Sequence, residues 1–217
     1  MRKLALAILM TTGLTAAPRE VSFPTADGGV VFADLYGSGD RGVVLAHGAR
    51  FDKASWAKQA ETLAKAGFRA LAIDFRGYGK SHGGDKSAAG AADLYQDVLA
   101  AVRYLHETGS TSVAVIGASM GGGASANALI HARPGEIQRL VLLANVPVTQ
   151  PERLTGPKLF IVSRGDGLAP KVHEQFEKAP EPKELLVVDG SAHAQFLFTT
   201  DQGERVMNKI LEFLSRP

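Results

Sequence analysis

A serine lies between two glycines at a spacing that is typical of a reactive hydroxyl group. Residues 117–121 read Gly-Ala-Ser-Met-Gly, which places Ser119 at the centre of a G-x-S-x-G motif. An apolar run, residues 113–116, precedes the motif, and a segment rich in small residues, 120–132, follows it. In a nucleophile elbow the serine occupies a strained turn between a strand and a helix, and the flanking glycines allow close backbone approach. The motif therefore predicts that Ser119 is a nucleophile.

A carboxylate and a histidine follow predicted strands later in the chain. Asp166 comes after the apolar run 159–162, and His193 comes after the run 185–188. Because open α/β sheets place their sites at the carboxyl ends of the strands, we expect both side chains to lie near Ser119. A histidine can take the proton of a serine, and a carboxylate can orient the histidine and stabilise its positive charge. The order serine, acid, histidine predicts nucleophilic acyl transfer.

Acyl transfer also requires hydrogen-bond donors for the charge that develops on the carbonyl oxygen. We assign one donor to the backbone N–H of Met120, the residue after the nucleophile, and the other to Ala49, in the loop after the run 42–46. Arg50, the neighbour of Ala49, remains an alternative for the second donor. His47 begins this loop, and we interpret it as a structural residue rather than as the base.

Four residues in the predicted site loops are candidates for substrate contact: Arg50, Phe51, Val146 and Phe196. The arginine could attract an anionic substrate, although surface salt bridging is the commoner role of an arginine. The apolar residues could line a pocket for the acyl or alcohol group, although packing explains each of them equally well. The sequence therefore leaves the roles of these four residues open.

The composition is that of one packed domain. The chain has 217 residues, of which 45% are hydrophobic and 21% charged, and this excludes a disordered, collagen-like or coiled-coil chain. The 24 basic and 22 acidic residues give a formal charge of +2, which is too small to indicate nucleic acid as a partner. Without cysteine the chain has no disulfide, thiolate zinc site or cysteine nucleophile. We predict neither a metal site nor a cofactor.

The first 17 residues have the layout of a secretory signal peptide. Arg2 and Lys3 precede an apolar run, residues 4–10, and small residues follow up to Ala17. A membrane-spanning helix needs about 20 apolar residues, so we expect no stable membrane span. We predict a secreted or periplasmic protein if this leader is cleaved, and a cytoplasmic protein with an additional N-terminal helix if it is retained.

Predicted strands and helices alternate along the rest of the chain. Residues 21–23 and 30–36 flank the turn cluster 26–29, which predicts an antiparallel hairpin. Buried apolar runs follow, separated by segments of helical spacing. The runs are residues 42–46, 68–73, 113–116, 140–144, 159–162 and 185–188. This alternation predicts an α/β fold with a doubly wound, mostly parallel sheet, and residues 18–217 are expected to form one domain.

Residues 20–217 resemble the α/β-hydrolase superfamily. The resemblance is carried by His47-Gly48, the turn Asp-Phe-Arg-Gly-Tyr-Gly-Lys-Ser at 74–81, the Ser119 elbow, Gly165-Asp166 and the late His193. The chain is most similar to small serine esterases and to dienelactone-hydrolase-like proteins, although true dienelactone hydrolases carry a cysteine nucleophile. The resemblance implies hydrolysis of a small-molecule carboxylic ester through an acyl-enzyme on Ser119.

The superfamily usually inserts a cap after the sixth strand of its sheet. Here only residues 146–157 separate two predicted strands, so we expect no cap domain and an open, shallow site. The same three residues would also serve an acyltransferase, an amidase or a peptidase, and the fold also permits a binding protein that has lost turnover. These alternatives remain open, and the sequence does not determine an oligomeric state.

Overall fold

The computed structural model describes residues 17–84 and 93–216. The predicted leader, residues 1–17, lies outside the described residues except for Ala17. None of the helices in the described part of the chain is long and apolar enough to cross a membrane.

A nine-stranded sheet runs through the described residues. Its strands are β1 (Arg19–Pro24), β2 (Gly29–Tyr36), β3 (Arg41–Ala46), β4 (Phe68–Ile73), β5 (His82–Gly83), β6 (Ser112–Ala118), β7 (Arg139–Leu143), β8 (Lys158–Ser163) and β9 (Lys183–Val188). Each predicted extended segment corresponds to one of these strands. The two-residue strand β5 was not predicted from the sequence.

The strand order is β1-β2-β4-β3-β6-β7-β8-β9, and β5 pairs with β2. The β1–β2 hairpin is antiparallel, and β2 is also antiparallel to β4. From β4 through β3 to β9 every neighbouring pair is parallel. The predicted doubly wound, mostly parallel sheet with an N-terminal antiparallel hairpin is confirmed.

Helices cover both faces of this sheet, as parallel strands require. The helices are α1 (Ala57–Lys65), α2 (Tyr95–Glu107), α3 (Met120–His131), α4 (Ala169–Lys178) and α5 (Gly203–Ser215). Helices α2, α3 and α4 pack on one face, whereas α1 and α5 pack on the other. The spacing of Val206, Ile210 and Phe213 places these residues on the buried side of α5.

The apolar runs are unbroken because each strand contributes side chains to two separate cores. In β3, Val44 and Ala46 belong to the core under α2 and α3, while Val43 and Leu45 belong to the core under α1 and α5. All four side chains are fully buried. Strand β3 therefore lies in the interior of the sandwich. Its carboxyl end, where the next loop begins, is supported by packing on both faces.

The connection from β7 to β8 contains no cap domain. Residues 144–157 join the two strands, and their only regular element is a 3₁₀ turn at Pro151–Arg153. The expected absence of a cap is thus confirmed for this segment. Because β3, β6, β8 and β9 are parallel, the loops after these strands emerge at the same edge of the sheet.

Candidate active site

Ser119 is the single residue between β6, which ends at Ala118, and α3, which begins at Met120. Its φ of 51° and ψ of −115° are unusual for a residue with a side chain. The strained turn is held from both sides: Ser119 N donates to Leu143 O at 2.9 Å, and Ser119 O accepts from Val146 N at 3.0 Å. These bonds fix the backbone that presents the hydroxyl.

The glycines of the motif lie against neighbouring backbone. A Cβ on Gly121 would be 2.4 Å from Ala46 O and 2.5 Å from His47 O. A Cβ on Gly117 would be 2.4 Å from Ser125 Oγ and 2.5 Å from Gly121 O. The close approach that the motif predicts is therefore present, and it brings the start of α3 against the loop after β3.

The structure brings the predicted serine, histidine and acid together. Ser119 Oγ lies 2.8 Å from His193 Nε2, and His193 Nδ1 lies 2.8 Å from Asp166 Oδ2. Because a carboxylate only accepts hydrogen bonds, Nδ1 carries the proton of the neutral imidazole, and Nε2 can accept the proton of the serine. The Asp166 side chain is 2% exposed and that of His193 is 39% exposed. The carboxylate is thus buried, whereas the imidazole faces solvent.

The loops after β8 and β9 are hydrogen-bonded to each other. Ser163 Oγ donates to Ala192 O at 2.8 Å, and Gly165 N donates to Gly190 O at 2.9 Å. The second carboxylate oxygen of Asp166 accepts from Leu168 N at 2.8 Å, which anchors the acid at the start of α4. These bonds hold the carboxylate and the imidazole at hydrogen-bonding distance.

The loop after β3 packs directly on the elbow. A Cβ on Gly48 would be 3.4 Å from Ser119 Cβ. Within residues 17–84 and 93–216, the N–H groups of Ala49 and Met120 donate to no acceptor. Both N–H groups that the sequence predicts as oxyanion donors are therefore left without an acceptor among the described residues.

His47 orders this loop, as the sequence suggested. It is fully buried, its Nδ1 lies 2.9 Å from Gly48 O, and its Nε2 accepts from Phe75 N at 3.3 Å. Burial holds the pKa of His47 below its ordinary value. Both ring nitrogens are engaged with the backbone, so His47 is not available to act on Ser119.

Two residues that contact the loop were not predicted to do so from the sequence. Tyr78 donates its hydroxyl hydrogen to Ala49 O at 2.9 Å. Gln195 accepts from Gly48 N and donates to Ser55 Oγ, partners that are 147 and 140 residues away along the chain. Contacts over such separations cannot be recognised from local residue patterns.

Three of the substrate-contact candidates lie in the loops that carry or contact the predicted triad. The rings of Phe51 and Phe196 pack edge to face with centroids 5.0 Å apart, and a Cβ on Gly48 would be 3.5 Å from Phe51 Cδ2. Val146 contacts the nucleophile elbow, because its backbone N–H donates a hydrogen bond to Ser119 O. Among the described residues, the exposed large hydrophobic side chains are Val146 and Phe196, at 41% and 47% exposure. We call Phe51, Val146 and Phe196 the apolar rim.

The fourth candidate, Arg50, is also exposed. No carboxylate in the described part of the chain pairs with it, whereas the other arginine near the site, Arg164, lies 3.4 Å from Asp189.

The described residues contain no group of three or more histidine or carboxylate side chains that could hold a metal ion.

Known proteins resemble the chain along most of its length. The family model described as "Serine aminopeptidase, S33" matches residues 37–161, which is more than half of the chain. The chain belongs to this family of α/β-hydrolases. The matched residues include the Gly48 loop and the Ser119 elbow, whereas Asp166 and His193 lie beyond the end of the match.

Two curated relatives match this α/β-hydrolase at similar levels. A non-heme chloroperoxidase of Streptomyces lividans is 32% identical over 158 residues, covering 71% of this chain and 52% of the relative. A non-heme haloperoxidase of Rhodococcus erythropolis is 32% identical over 150 residues, covering 67% of this chain and 52% of the relative. The chain thus spans about half the length of these relatives.

A solved structure supports the fold independently. An esterase of Pyrococcus furiosus superposes on this α/β-hydrolase with a TM-score of 0.78 and 23% sequence identity, and the match covers 92% of each chain. At this level of identity the likeness concerns the fold. The α/β-hydrolase fold expected from the sequence is therefore confirmed.

Proposed function

We propose that this α/β-hydrolase cleaves small carboxylic esters through an acyl-enzyme formed on Ser119. The observation that supports the proposal most strongly is the continuous pair of 2.8 Å contacts from Ser119 through His193 to Asp166. A hydroxyl, an imidazole and a buried carboxylate in this order are what a serine needs for activation at neutral pH.

The first half-reaction forms the acyl-enzyme. Ser119 Oγ attacks the ester carbonyl carbon while its proton moves to Nε2 of His193, and the carbonyl oxygen becomes an oxyanion. The N–H groups of Ala49 and Met120 hold this oxygen, and each such donor contributes about 10² to 10³ in turnover. The carbon–oxygen bond to the alcohol then breaks, and the alcohol leaves with the proton from His193.

The second half-reaction regenerates the enzyme. Water attacks the acyl carbon and gives a proton to His193, which returns it to Ser119 as the carboxylic acid leaves. Asp166 orients the imidazole in both half-reactions and stabilises its positive charge. One ester and one water are consumed, and one acid and one alcohol are released.

The residues of the apolar rim and Arg50 indicate which acyl and alcohol groups the site could bind. Phe196 follows His193 by three residues, and the backbone N–H of Val146 donates to Ser119 O. Both side chains are exposed and apolar, so we expect the site to favour apolar acyl or alcohol groups over charged ones. No cap covers this surface in the segment between β7 and β8, so a long chain would remain largely in water. Arg50 pairs with no carboxylate among the described residues, and it offers a contact for a carboxylate on a substrate.

Substitution of the serine tests the proposal. Ser119→Ala should reduce hydrolysis of p-nitrophenyl acetate and butyrate by at least about 10⁴-fold, because the nucleophile is removed while the fold is retained. The wild-type protein should also be labelled by a fluorophosphonate, whose fluoride is displaced by the serine oxygen. Ser22→Ala, an exposed serine on β1, should keep both reactions. Hydrolysis by the Ser119→Ala protein at the wild-type rate would exclude the proposed mechanism.

A second candidate uses the same site with an amide substrate or an amine acceptor. The name of the matched family describes a peptidase, and an uncapped site admits acceptors larger than water. Product analysis with short esters, peptide amides and competing amines separates these activities. Turnover of amides faster than of matched esters would favour the peptidase. A wild-type serine that does not react with the fluorophosphonate would instead favour a binding protein.

A further inference from the structure

A buried glutamine connects the histidine loop to the loop of the proposed oxyanion donor. Gln195 follows His193 by two residues, in the 3₁₀ turn Ala194–Thr199, and is only 5% exposed. Its Oε1 accepts a hydrogen bond from Gly48 N at 3.0 Å, and its Nε2 donates to Ser55 Oγ at 2.7 Å. A single side chain therefore bridges two loops that belong to different strands.

The chemistry of its partners fixes the orientation of this amide. A backbone N–H can only donate, so the atom that faces Gly48 must be the carbonyl oxygen of Gln195. Ser55 Oγ accepts a hydrogen bond from the amide, and its own hydroxyl group donates a hydrogen bond to Asp52 O at 2.6 Å. Both ends of the buried side chain are satisfied, so rotation of the amide would leave buried polar groups without partners.

The loop that Gln195 holds is hydrogen-bonded at several further backbone groups. Gly48 O accepts from Phe51 N at 3.0 Å and lies 2.9 Å from His47 Nδ1, and Tyr78 donates to Ala49 O. With Gly48 N bound to Gln195, the adjacent Ala49 N–H donates to no acceptor among the described residues. The position of that donor relative to His193 thus depends on the bridge.

We propose that Gln195 is a positioning residue, which sets the place of the Ala49 N–H relative to His193 and Ser119. This inference rests on the proposed function, because it assigns the free N–H to the developing oxyanion. A donor that stabilises a transition state must be held within a fraction of an ångström, and displacement by about 1 Å costs on the order of 10²-fold in rate. Loss of the bridge should therefore weaken binding of the transition state more than binding of the ester.

Gln195→Met removes both hydrogen bonds and keeps the length of the side chain. We expect kcat for p-nitrophenyl butyrate to fall about 10- to 100-fold, with KM changed by less than about twofold. Affinity for a trifluoromethyl ketone should fall in parallel with kcat/KM. Ser119 Oγ adds to the carbonyl carbon of this compound, its proton moves to His193, and the resulting alkoxide occupies the oxyanion position.

A second buried glutamine supplies a matched control. Gln175 is 2% exposed and accepts from Val148 N at 2.7 Å, so it makes the same type of bond to a different loop. Gln175→Met should lower the melting temperature, as Gln195→Met should, but leave kcat and ketone affinity within about twofold of the wild type. If Gln195→Met behaves like Gln175→Met, the glutamine contributes only to stability and the inference is wrong.

Ser55→Ala tests the same bridge from its far end and removes only a half-buried hydroxyl group. We expect a loss of kcat and of ketone affinity of about threefold or more. The effect of Ser55→Ala should vanish in the Gln195→Met background, because the two residues act through one connection. If Gln195→Met does not fold, the Ser55→Ala variant by itself tests the inference. Wild-type kcat and wild-type ketone affinity in Ser55→Ala would then overturn it.

Failure of the inference and failure of the proposed function give different results. An inactive wild-type protein that does not bind the ketone would contradict the esterase proposal itself, and the inference would fall with it. A fully active wild-type protein whose bridge variants retain wild-type kcat would contradict only the role of Gln195.

Discussion

The surroundings of each imidazole determine what that histidine can do. His193 is half exposed and contacts a buried carboxylate through one nitrogen and a hydroxyl through the other. His47 is fully buried, and its two nitrogens are engaged with Gly48 and Phe75 of the backbone. The first arrangement suits proton transfer, and the second suits a neutral structural residue.

The buried His47 should make stability depend on pH. Its pKa is lowered by burial, so below pH about 6.5 the unfolded chain binds a proton more readily than the folded protein does. The contribution of this residue to the free energy of unfolding is therefore fully present above pH 6.5 and is lost as the pH falls through the folded-state pKa. Wild type should lose stability more steeply than His47→Gln between pH 7 and pH 5 in urea unfolding. Parallel curves for the two proteins would contradict this assignment.

At the scale of elements, the site depends on how closely α3 approaches the loop after β3. Gly121, near the start of α3, faces the carbonyl oxygens of Ala46 and His47. Those oxygens belong to backbone, which cannot move aside as the end of a flexible side chain can. The junction of β6, α3 and β3 thus has no space for a methyl group.

We expect Gly121→Ala to destabilise the protein by about 3 kcal/mol or more, at the upper end of typical overpacking costs. Gly135→Ala is the control: Gly135 has a φ of 81° and open space around its Cβ position, so its substitution should cost about 1 to 2 kcal/mol of backbone strain alone. Urea unfolding monitored by circular dichroism measures both values. Equal destabilisation by the two substitutions would show that the close contact at Gly121 relaxes easily.

At the scale of the whole molecule, the β7–β8 connection carries no cap and should leave the serine accessible. Among the described residues this connection has only a 3₁₀ turn, and Val146 and Phe196 are exposed. An enzyme that has no lid to displace gains nothing from an oil–water interface. The shape of the site therefore favours substrates that are dissolved as single molecules.

The rate of ester hydrolysis should accordingly rise smoothly with substrate concentration. For p-nitrophenyl butyrate and for tributyrin, we expect hyperbolic saturation through the solubility limit, with no increase when droplets form. Emulsified long-chain triglycerides should be hydrolysed at least about tenfold more slowly, because a site with no cap buries little of a long chain. A sharp rise in rate at the solubility limit would contradict the open-site interpretation.

Local pattern was sufficient for the strands other than the short β5 and for bringing the three central side chains to one edge of the sheet. Unbroken apolar runs predicted the six parallel strands because both faces of such strands are covered. The positions of Ser119, Asp166 and His193 directly after strands predicted their convergence, since parallel strands end at one edge of the sheet. These inferences need only periodicity, glycine placement and chain order, which are properties of short segments.

The connections between the loops were decided only by the tertiary structure. Gln195, Gly48 and Ser55 are far apart in the chain, and nothing in a short segment around any of them indicates the others. The same holds for the bond from Ser119 N to Leu143 O, which depends on the register of β6 against β7. Such contacts require the packed sandwich, because side-chain direction and loop path are set by neighbours that local residue patterns do not identify.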